Sequence, residues 1–375
     1  MIDILLIIFL LLMLHYSGFI FSVYRGLNKL SFKENLNNEF ITVIIPFRNE
    51  EENILRCLKS IEALNFPEVN YEVIFVDDNS TDSSIELLNK NITSNNIKVL
   101  SLQSKNSKRG HKKAAVKFGI ENSKGEIIVT TDADCFHGKD WLKTMILTFD
   151  TNTAFVSGPV EFENNNSLFG KLQKLEFAGL ILTGAGLIGN RTPIICNGAN
   201  LAFRKKVFYE VGGYEDVMNL SSGEDELLMQ KISAKTNYEI KFCMNKKAVV
   251  KTEPKNSFKE FINQRKRWAS KGLFYKNKSL VLKLILIFLF YFSLILQTIF
   301  GIFYNGIFLY SLFVSLFIKM FSEYLVLRKG TEILFDKSIL QVFLLAEILQ
   351  VPYIILSGVS GMFGNYKWKD RELER

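Results

Sequence analysis

Uncharged apolar residues gather at the two ends of this chain, and that distribution limits the fold more than any other feature. Ile4 to Val23 carries no charged side chain and as a helix is long enough to cross roughly 30 Å of hydrocarbon. A signal peptide would put positive charge first and a shorter apolar core after it. Here Asp3 precedes the run, while Arg25, Lys29 and Lys33 follow it. A retained anchor is therefore expected, with the residues after it in the cytoplasm. Leu284 to Ile318 is also uncharged and too long for one span. Gly301, Asn305 and Gly306 near its middle predict a tight turn and a helical hairpin. A charged connector is expected next, with Lys319, Glu323, Arg328, Lys329, Asp336 and Lys337. Ser338 to Phe363 is apolar again, interrupted by Glu347 and Pro352, and is read as a third C-terminal span. Three crossings would put the tail Lys367–Arg375 outside, whereas its Lys367, Lys369, Arg371 and Arg375 favour the inside. A re-entrant or interfacial segment among the three would resolve that conflict. Glu347 receives no role.

Composition narrows the rest. A 48% hydrophobic content excludes a disordered chain, and four cysteines in 375 residues exclude a disulfide scaffold. The 46 Lys and Arg against 38 Asp and Glu leave a net charge of +8, which suits nucleic acid, anionic lipid or a phosphorylated substrate. Between about Glu39 and Thr252 short β-rich runs alternate with amphipathic stretches. Strands are predicted at Phe40–Pro46, Glu72–Asp77, Ile97–Leu102, Glu126–Thr131 and Ala154–Val160. Helices are predicted at Glu51–Leu64, Ser83–Asn91, Lys112–Asn122 and Trp141–Phe149. The alternation implies an α/β domain with a mostly parallel sheet covered on both faces, whose ligands bind beyond the carboxyl ends of the strands. The chain thus divides into an N-terminal anchor (1–24), the α/β domain (39–252), an amphipathic interfacial helix (253–280), about three C-terminal transmembrane segments (281–363) and a polar tail (364–375).

Polar clusters follow the predicted strands. The first strand ends in Pro46–Phe47–Arg48–Asn49–Glu50. The second ends in Asp77–Asp78–Asn79–Ser80, which is either an Asx turn leading into a helix cap or a carboxylate placed to read a nucleoside. The fourth ends in Asp132–Ala133–Asp134, two carboxylates able to share Mg²⁺ or Mn²⁺ completed by diphosphate oxygens and water. Lys108–Arg109–Gly110–His111–Lys112–Lys113 opens a helix, as a solvated basic face or as a phosphate clamp. Glu224–Asp225–Glu226 begins another helix, complementing its dipole or supplying a general base. In Lys255–Lys278, Gln264, Arg267 and Trp268 share one helix face, and basic residues with aromatics just before a span read as an interfacial helix on anionic lipid. No nucleic-acid module accompanies them. The cysteines and histidines suggest no zinc site, and there is no GxxxxGK[ST] or GxGxxG motif.

The order of these clusters, from Ile41 to Lys271, resembles the family 2 inverting glycosyltransferases of GT-A fold. The flanking spans resemble their membrane-integrated branch, which includes ceramide glucosyltransferase and the cellulose, hyaluronan and poly-N-acetylglucosamine synthases. The resemblance implies a Rossmann-like GT-A domain and a sugar moved from a UDP-linked donor, as a hexosyl- or N-acetylhexosaminyltransferase. It implies that Pro46, Arg48 and Glu50 surround the nucleotide, with Asp78 at uracil and Asp77 beside it. Lys112 is implied near the donor phosphates, although His111 stands where the family usually has Gly. Asp132 and Asp134 are implied to bind the divalent cation, Asp132 also contacting the nucleotide. Asn197, Gly198 and Asn200 are implied to line the donor sugar and acceptor. Asp225 is implied as general base with Glu224 positioning the acceptor, and Gln264, Arg267 and Trp268 as the Q-x-x-R-W motif closing over the diphosphate. The expected partners are a nucleotide sugar, a lipid or lipid-linked acceptor and the bilayer, with no nucleic acid, and a membrane partner subunit is left open. The expected location is a bacterial cytoplasmic membrane with the catalytic domain in the cytoplasm, in cell-envelope glycolipid synthesis. A processive polysaccharide synthase and a catalytically inactive scaffold are the competing readings.

Overall fold

The computed structural model describes residues 2–35, 38–102, 111–218, 223–270, 275, 277–362, 366–368 and 371–373. The basic turn Lys108–Gly110 and Ser221–Ser222 lie outside the described residues. Helix α1 (Ile2–Lys29) leads into β1 (Ile41–Phe47), α2 (Ile54–Glu62), β2 (Tyr71–Asp77), α3 (Ser84–Asn91), β3 (Ile97–Ser101), α4 (His111–Glu121) and β4 (Ile127–Thr130). After it come β5 (Cys135–His137), α5 (Trp141–Leu147), β6 (Thr153–Ser157), β7 (Val160–Phe162), α6 (Leu168–Gly189), β8 (Leu201–Arg204), α7 (Lys205–Glu210), α8 (Glu226–Lys235), β9 (Glu239–Phe242) and β10 (Val250–Thr252). Helices α9 (Phe258–Ser270), α10 (Lys278–Phe303), α11 (Ile307–Ile333) and α12 (Phe343–Met362) follow, then short strands β11 (Tyr366–Trp368) and β12 (Arg371–Leu373).

The main sheet has the order β3-β2-β1-β4-β8-β6-β9. Strands β3, β2, β1 and β4 are parallel, as the apolar runs Val73–Val76 and Ile127–Val129 predict. Every residue of β1 and β2 is buried, because helices cover both faces. Strand β8 is antiparallel to both of its neighbours. The predicted strand Ala154–Val160 is two strands: Gly158 and Pro159 interrupt it, and Val160 opens β7 in a second small sheet, β5-β10-β7. That small sheet carries the segment after Asp134, so the two sheets together fix the Asp132–Asp134 loop.

The apolar ends form helices long and apolar enough to cross a membrane, α1, α10, α11 and the stretch 337–361. The α10–α11 turn falls at Tyr304–Gly306, where Gly301, Asn305 and Gly306 predict it. The expected charged connector is corrected: α11 continues to Ile333, so Lys319, Glu323, Arg328 and Lys329 are helical. Lys319 is buried and pairs with Glu323 at 2.9 Å and with Glu347 of α12, and Gln350 accepts a further bond from it at 2.7 Å. The Tyr16 hydroxyl donates to Glu323 and lies 2.9 Å from that of Tyr291. Lys319 and Glu323, expected in a connector, are thus partnered by groups of α1 and α12, as charges in an apolar bundle must be.

Helix α6 has no counterpart among the predicted elements. It packs against α1 and α11 through glycines. A Cβ on Gly26 would fall 1.9 Å from the Gly186 carbonyl oxygen, and one on Gly189 would fall 2.2 Å from that of Gly26. Backbone therefore meets backbone, and α1 is docked on the α/β domain rather than tethered to it.

Candidate active site

The ends of β1 and β2 are tied into one wall. Arg48 donates from Nη1 to the carbonyl oxygens of Asp78 and Asn79, at 2.7 and 2.6 Å. Asn49 and Asn79 have φ of 49° and 56°, the left-handed region that asparagine tolerates. Asn49 Oδ1 accepts from the Thr81 amide at 2.9 Å, and Asp77 Oδ1 accepts from the Ser80 amide at 2.9 Å. Pro46, Arg48, Glu50 and Asp78 line a cavity of about 910 Å³. Asp77, expected beside the nucleotide, does not line it; its carboxylate builds the Asx turn instead.

At the far side of β4, Asp132 and Asp134 line the same cavity. Lys112, entering from α4, reaches Asp132 Oδ1 at 2.6 Å and Glu224 Oε1 at 2.9 Å. Burial alone would lower the Lys112 pKa, but these two carboxylates outweigh it and hold the ammonium well above the ordinary lysine value. Burial raises the pKa of Asp132, with Lys112 opposing and Asp134 reinforcing the rise. Behind this loop His137 is buried, its Nδ1 2.9 Å from Ser60 Oγ and its Nε2 2.8 Å from Thr131 Oγ1. Burial pushes its pKa down to about 3, so it is a neutral support for the loop.

Asp225 caps α8. Its Oδ1 accepts from the Glu226 amide at 2.8 Å and its Oδ2 from the Gly198 amide at 2.9 Å. Gly223, with φ of +91°, supplies the turn that brings Glu224 and Asp225 to the cavity. A Cβ on Gly198 would lie 3.3 Å from Lys112 Nζ, 3.4 Å from Asp225 Oδ2 and 3.5 Å from Glu224 Oε1. Gly198 is therefore where the acid and lysine groups converge. Asn197 and Gly198 line the cavity. Asn200 does not: it is fully buried, accepts from Trp141 Nε1 at 3.0 Å and donates at 2.8 Å to the carbonyls of Pro159 and Ala248. Its expected ligand contact is corrected to a structural one joining three segments.

Gln264, Arg267 and Trp268 of α9 line the cavity as expected. The residue between them, Arg265, was not singled out in the sequence and is the buried one. It pairs with Glu176 of α6, Nε to Oε1 at 3.1 Å, and lies 4.4 Å from the ring centroids of both Phe261 and Trp268. Trp268 stacks on Phe177 at 5.8 Å. Tyr353 of α12 donates to Glu176 at 2.8 Å. Tyr275 donates to Glu226 at 3.0 Å. Nothing local marks Glu176, Tyr275 or Tyr353.

The cavity has two kinds of lining. Asp78, Asp132, Asp134, Lys112, Glu224 and Asp225 are polar and come from the α/β domain; Leu180, Ile181, Leu284, Ile287, Phe288 and Ile354 are apolar and come from α6, α10 and α12. Among the described residues no group of three or more His, Cys, Asp or Glu could hold a metal ion. Asp132 and Asp134 alone are hard oxygen donors of the kind Mg²⁺ and Mn²⁺ accept when phosphate and water complete the shell, so the pair fits a cation that arrives with a diphosphate.

Residues 42–212 match the sequence profile described as Glycosyl transferase family 2. The glycosyltransferase AglE of Haloferax volcanii is 29% identical over 230 residues, 61% of this chain and 71% of AglE. The poly-beta-1,6-N-acetyl-D-glucosamine synthase of Staphylococcus epidermidis is 27% identical over 244 residues, and the match spans only 56% of that synthase. A mannosyltransferase of Pyrobaculum calidifontis, solved in complex with GDP-Man and Mn²⁺, superposes with a TM-score of 0.56 at 18% identity, covering 96% of this chain and 99% of that one. At that identity the likeness shows the fold.

Proposed function

Because the chain belongs to glycosyltransferase family 2, with the GT-A fold and apolar helices of membrane-spanning length, we propose that it moves one sugar from a nucleoside-diphosphate sugar, UDP-linked, to a lipid or lipid-linked acceptor. The observation that carries this reading is one cavity lined both by the carboxylate cluster and by apolar side chains of α6, α10 and α12. A water-soluble acceptor has no use for that apolar lining, whereas a hydrocarbon chain does.

The nucleotide lies against the wall formed by Pro46, Arg48, Glu50 and Asp78, with its diphosphate toward Asp132, Asp134 and Lys112. Asp132 and Asp134 would hold a divalent cation, whose positive charge would stabilise the leaving diphosphate. Lys112 adds a fixed cation there, and Arg267 another from α9. The acceptor hydroxyl attacks the anomeric carbon from the side opposite the diphosphate while its proton passes to the Asp225 carboxylate. The Gly198 and Glu226 amides hold both oxygens of that carboxylate in place, and Glu224 positions the acceptor. One displacement with one base inverts the anomeric configuration. In keeping with the positive residues after α1, the catalytic domain lies in the cytoplasm.

The test is incubation of membranes containing the protein with a panel of radiolabelled nucleotide sugars. An organic-extractable product bearing a single sugar is expected. A ladder of polymer would overturn this reading in favour of a processive synthase.

A further inference from the structure

The third C-terminal apolar helix, α12, is as long as a span, but its contacts are not those of one. Depth along the α10–α11 hairpin can be counted from its turn at 304–306. Lys319 of α11 and Tyr291 of α10 each lie 12 residues from the turn-side end of their helix, about 18 Å at 1.5 Å per residue. Glu347 and Gln350 of α12 meet Lys319 at that level. Eleven residues beyond Glu347, Gly358 lies against Phe288 of α10, where a Cβ would come 2.9 Å from the ring. Phe288 is 15 residues from the turn-side end of α10, about 22 Å by the same rise. A helix running alongside the hairpin would change depth by about 16 Å between Glu347 and Gly358; α12 changes by about 4 Å. Its first turn does run alongside, since Phe343 packs on Tyr324 of α11, about 26 Å from the turn-side end by the same rise, but beyond Glu347, with Pro352 inside it, α12 turns across the bundle.

Two further contacts agree. Midway along α12, Tyr353 donates to Glu176 of α6 and its ring packs on Phe261 of α9 at 5.6 Å. Both partners belong to elements of the catalytic side. The strand that follows, β11, packs beside α9. One face of α12 (Tyr353, Ile354, Ser357 and Gly358) lines the reaction cavity. The opposite face shows Leu345, Ile348, Leu349, Leu356 and Val359 on the surface, with Ile348 67% exposed. An uncharged stripe of that kind fits hydrocarbon rather than water. The Ser357 hydroxyl is buried on the cavity face and has no hydrogen-bond partner among the described residues, an arrangement that calls for a polar ligand atom.

We propose that α12 does not cross the membrane but lies within the leaflet on the side of the catalytic domain, as the floor of the reaction cavity. The seam between α12 and α10 at Gly358 and Phe288 is the door by which the acceptor's hydrocarbon chain enters from that leaflet, and Ser357 donates to the polar junction of chain and headgroup. The door rests on the lipid-acceptor reading; the placement of α12 does not. It also resolves the charge conflict of the tail, whose basic residues then stay on the catalytic side.

Two measurements test this. A cysteine appended after Arg375 is labelled with a membrane-impermeant maleimide in inverted and right-side-out vesicles, beside Lys90→Cys on the catalytic domain and Tyr304→Cys at the hairpin turn. The unsubstituted protein, whose Cys57, Cys135 and Cys243 are buried, gives the background. The appended cysteine is expected to label from the same side as Lys90→Cys; labelling from the Tyr304→Cys side overturns the placement. Gly358→Phe, and Ile287→Trp from the opposing wall, are then compared with wild type for transfer of radiolabelled sugar into extractable lipid. At least a tenfold fall with unchanged nucleotide-sugar affinity is expected from either. Wild-type transfer in a variant that binds donor normally overturns the door. A wild-type protein that forms no lipid product overturns the acceptor reading and the door with it, while the labelling still decides α12.

Discussion

Acidification should weaken the catalytic domain through one residue, His137. Its imidazole is enclosed behind the Asp132–Asp134 loop, 4.1 Å from the Trp141 ring, and burial depresses its pKa from 6.5 to about 3. The unfolded chain therefore binds a proton below about pH 6.5 that the folded chain refuses until about pH 3. The stability His137 confers is complete above pH 6.5 and is lost as pH falls, by about 1.4 kcal/mol per pH unit. Between pH 7.5 and pH 5.0 the loss comes to about 2 kcal/mol. His137→Gln removes the titrating ring while leaving an amide able to bond Ser60 and Thr131. Urea unfolding of the detergent-solubilised protein, followed by tryptophan fluorescence, should show wild type losing about 2 kcal/mol more than the variant over that range. Parallel pH profiles for the two proteins would refute the reasoning.

Other substitutions separate structural from catalytic residues. Asn200→Ala removes three buried hydrogen bonds and takes the acceptor from the Trp141 indole, although the Pro159 carbonyl keeps the Val250 amide, so it should cost about 2–4 kcal/mol of stability by denaturant titration. Gly26→Leu should strip α1 from α6, because a side chain there meets backbone at 1.9 Å; protease digestion would reveal a newly cleavable segment between anchor and domain. Lys319→Met leaves Glu323 and Glu347 facing one another without their cation and should cost about 3–5 kcal/mol by thermal unfolding, with Glu347→Gln in the same chain recovering part of it. Gly198→Ala should lower turnover several-fold with unfolding unchanged, since its methyl crowds Lys112, Glu224 and Asp225 at once.

Much of this molecule was legible in its sequence, for local reasons. The apolar ends, the hairpin turn and the first four strands follow from hydrophobic run length and period, and the cavity-lining residues from polar clusters at strand ends. What escaped is long-range. Helix α6 contains Gly179, Gly184, Gly186 and Gly189, a poor helix former by propensity, and forms because α1 presses against Gly186 and Gly189, the 194–195 segment against Gly184 and α11 against Gly179. Asp77 and Asp78 are adjacent and alike in type; only the Asx turn at Ser80 decides which of them faces the cavity. Asn200 sits in the same polar segment as Asn197 and Gly198 but points into the core. Arg265 is hidden among basic neighbours and is singled out by Glu176, 89 residues away. Lys319 and Glu323 read as part of a charged connector because Glu347 and Tyr16, which they meet, lie on other helices.

In the proposed reaction Asp225 takes the proton from the acceptor in a cavity that α6, α10 and α12 also line. Asp225→Asn keeps the shape and an oxygen for one of the two backbone amides while removing the base. Single-turnover transfer from radiolabelled nucleotide sugar to extractable lipid should fall by about 10²- to 10⁴-fold, with donor affinity unchanged. Transfer at the wild-type rate in this variant would contradict the account.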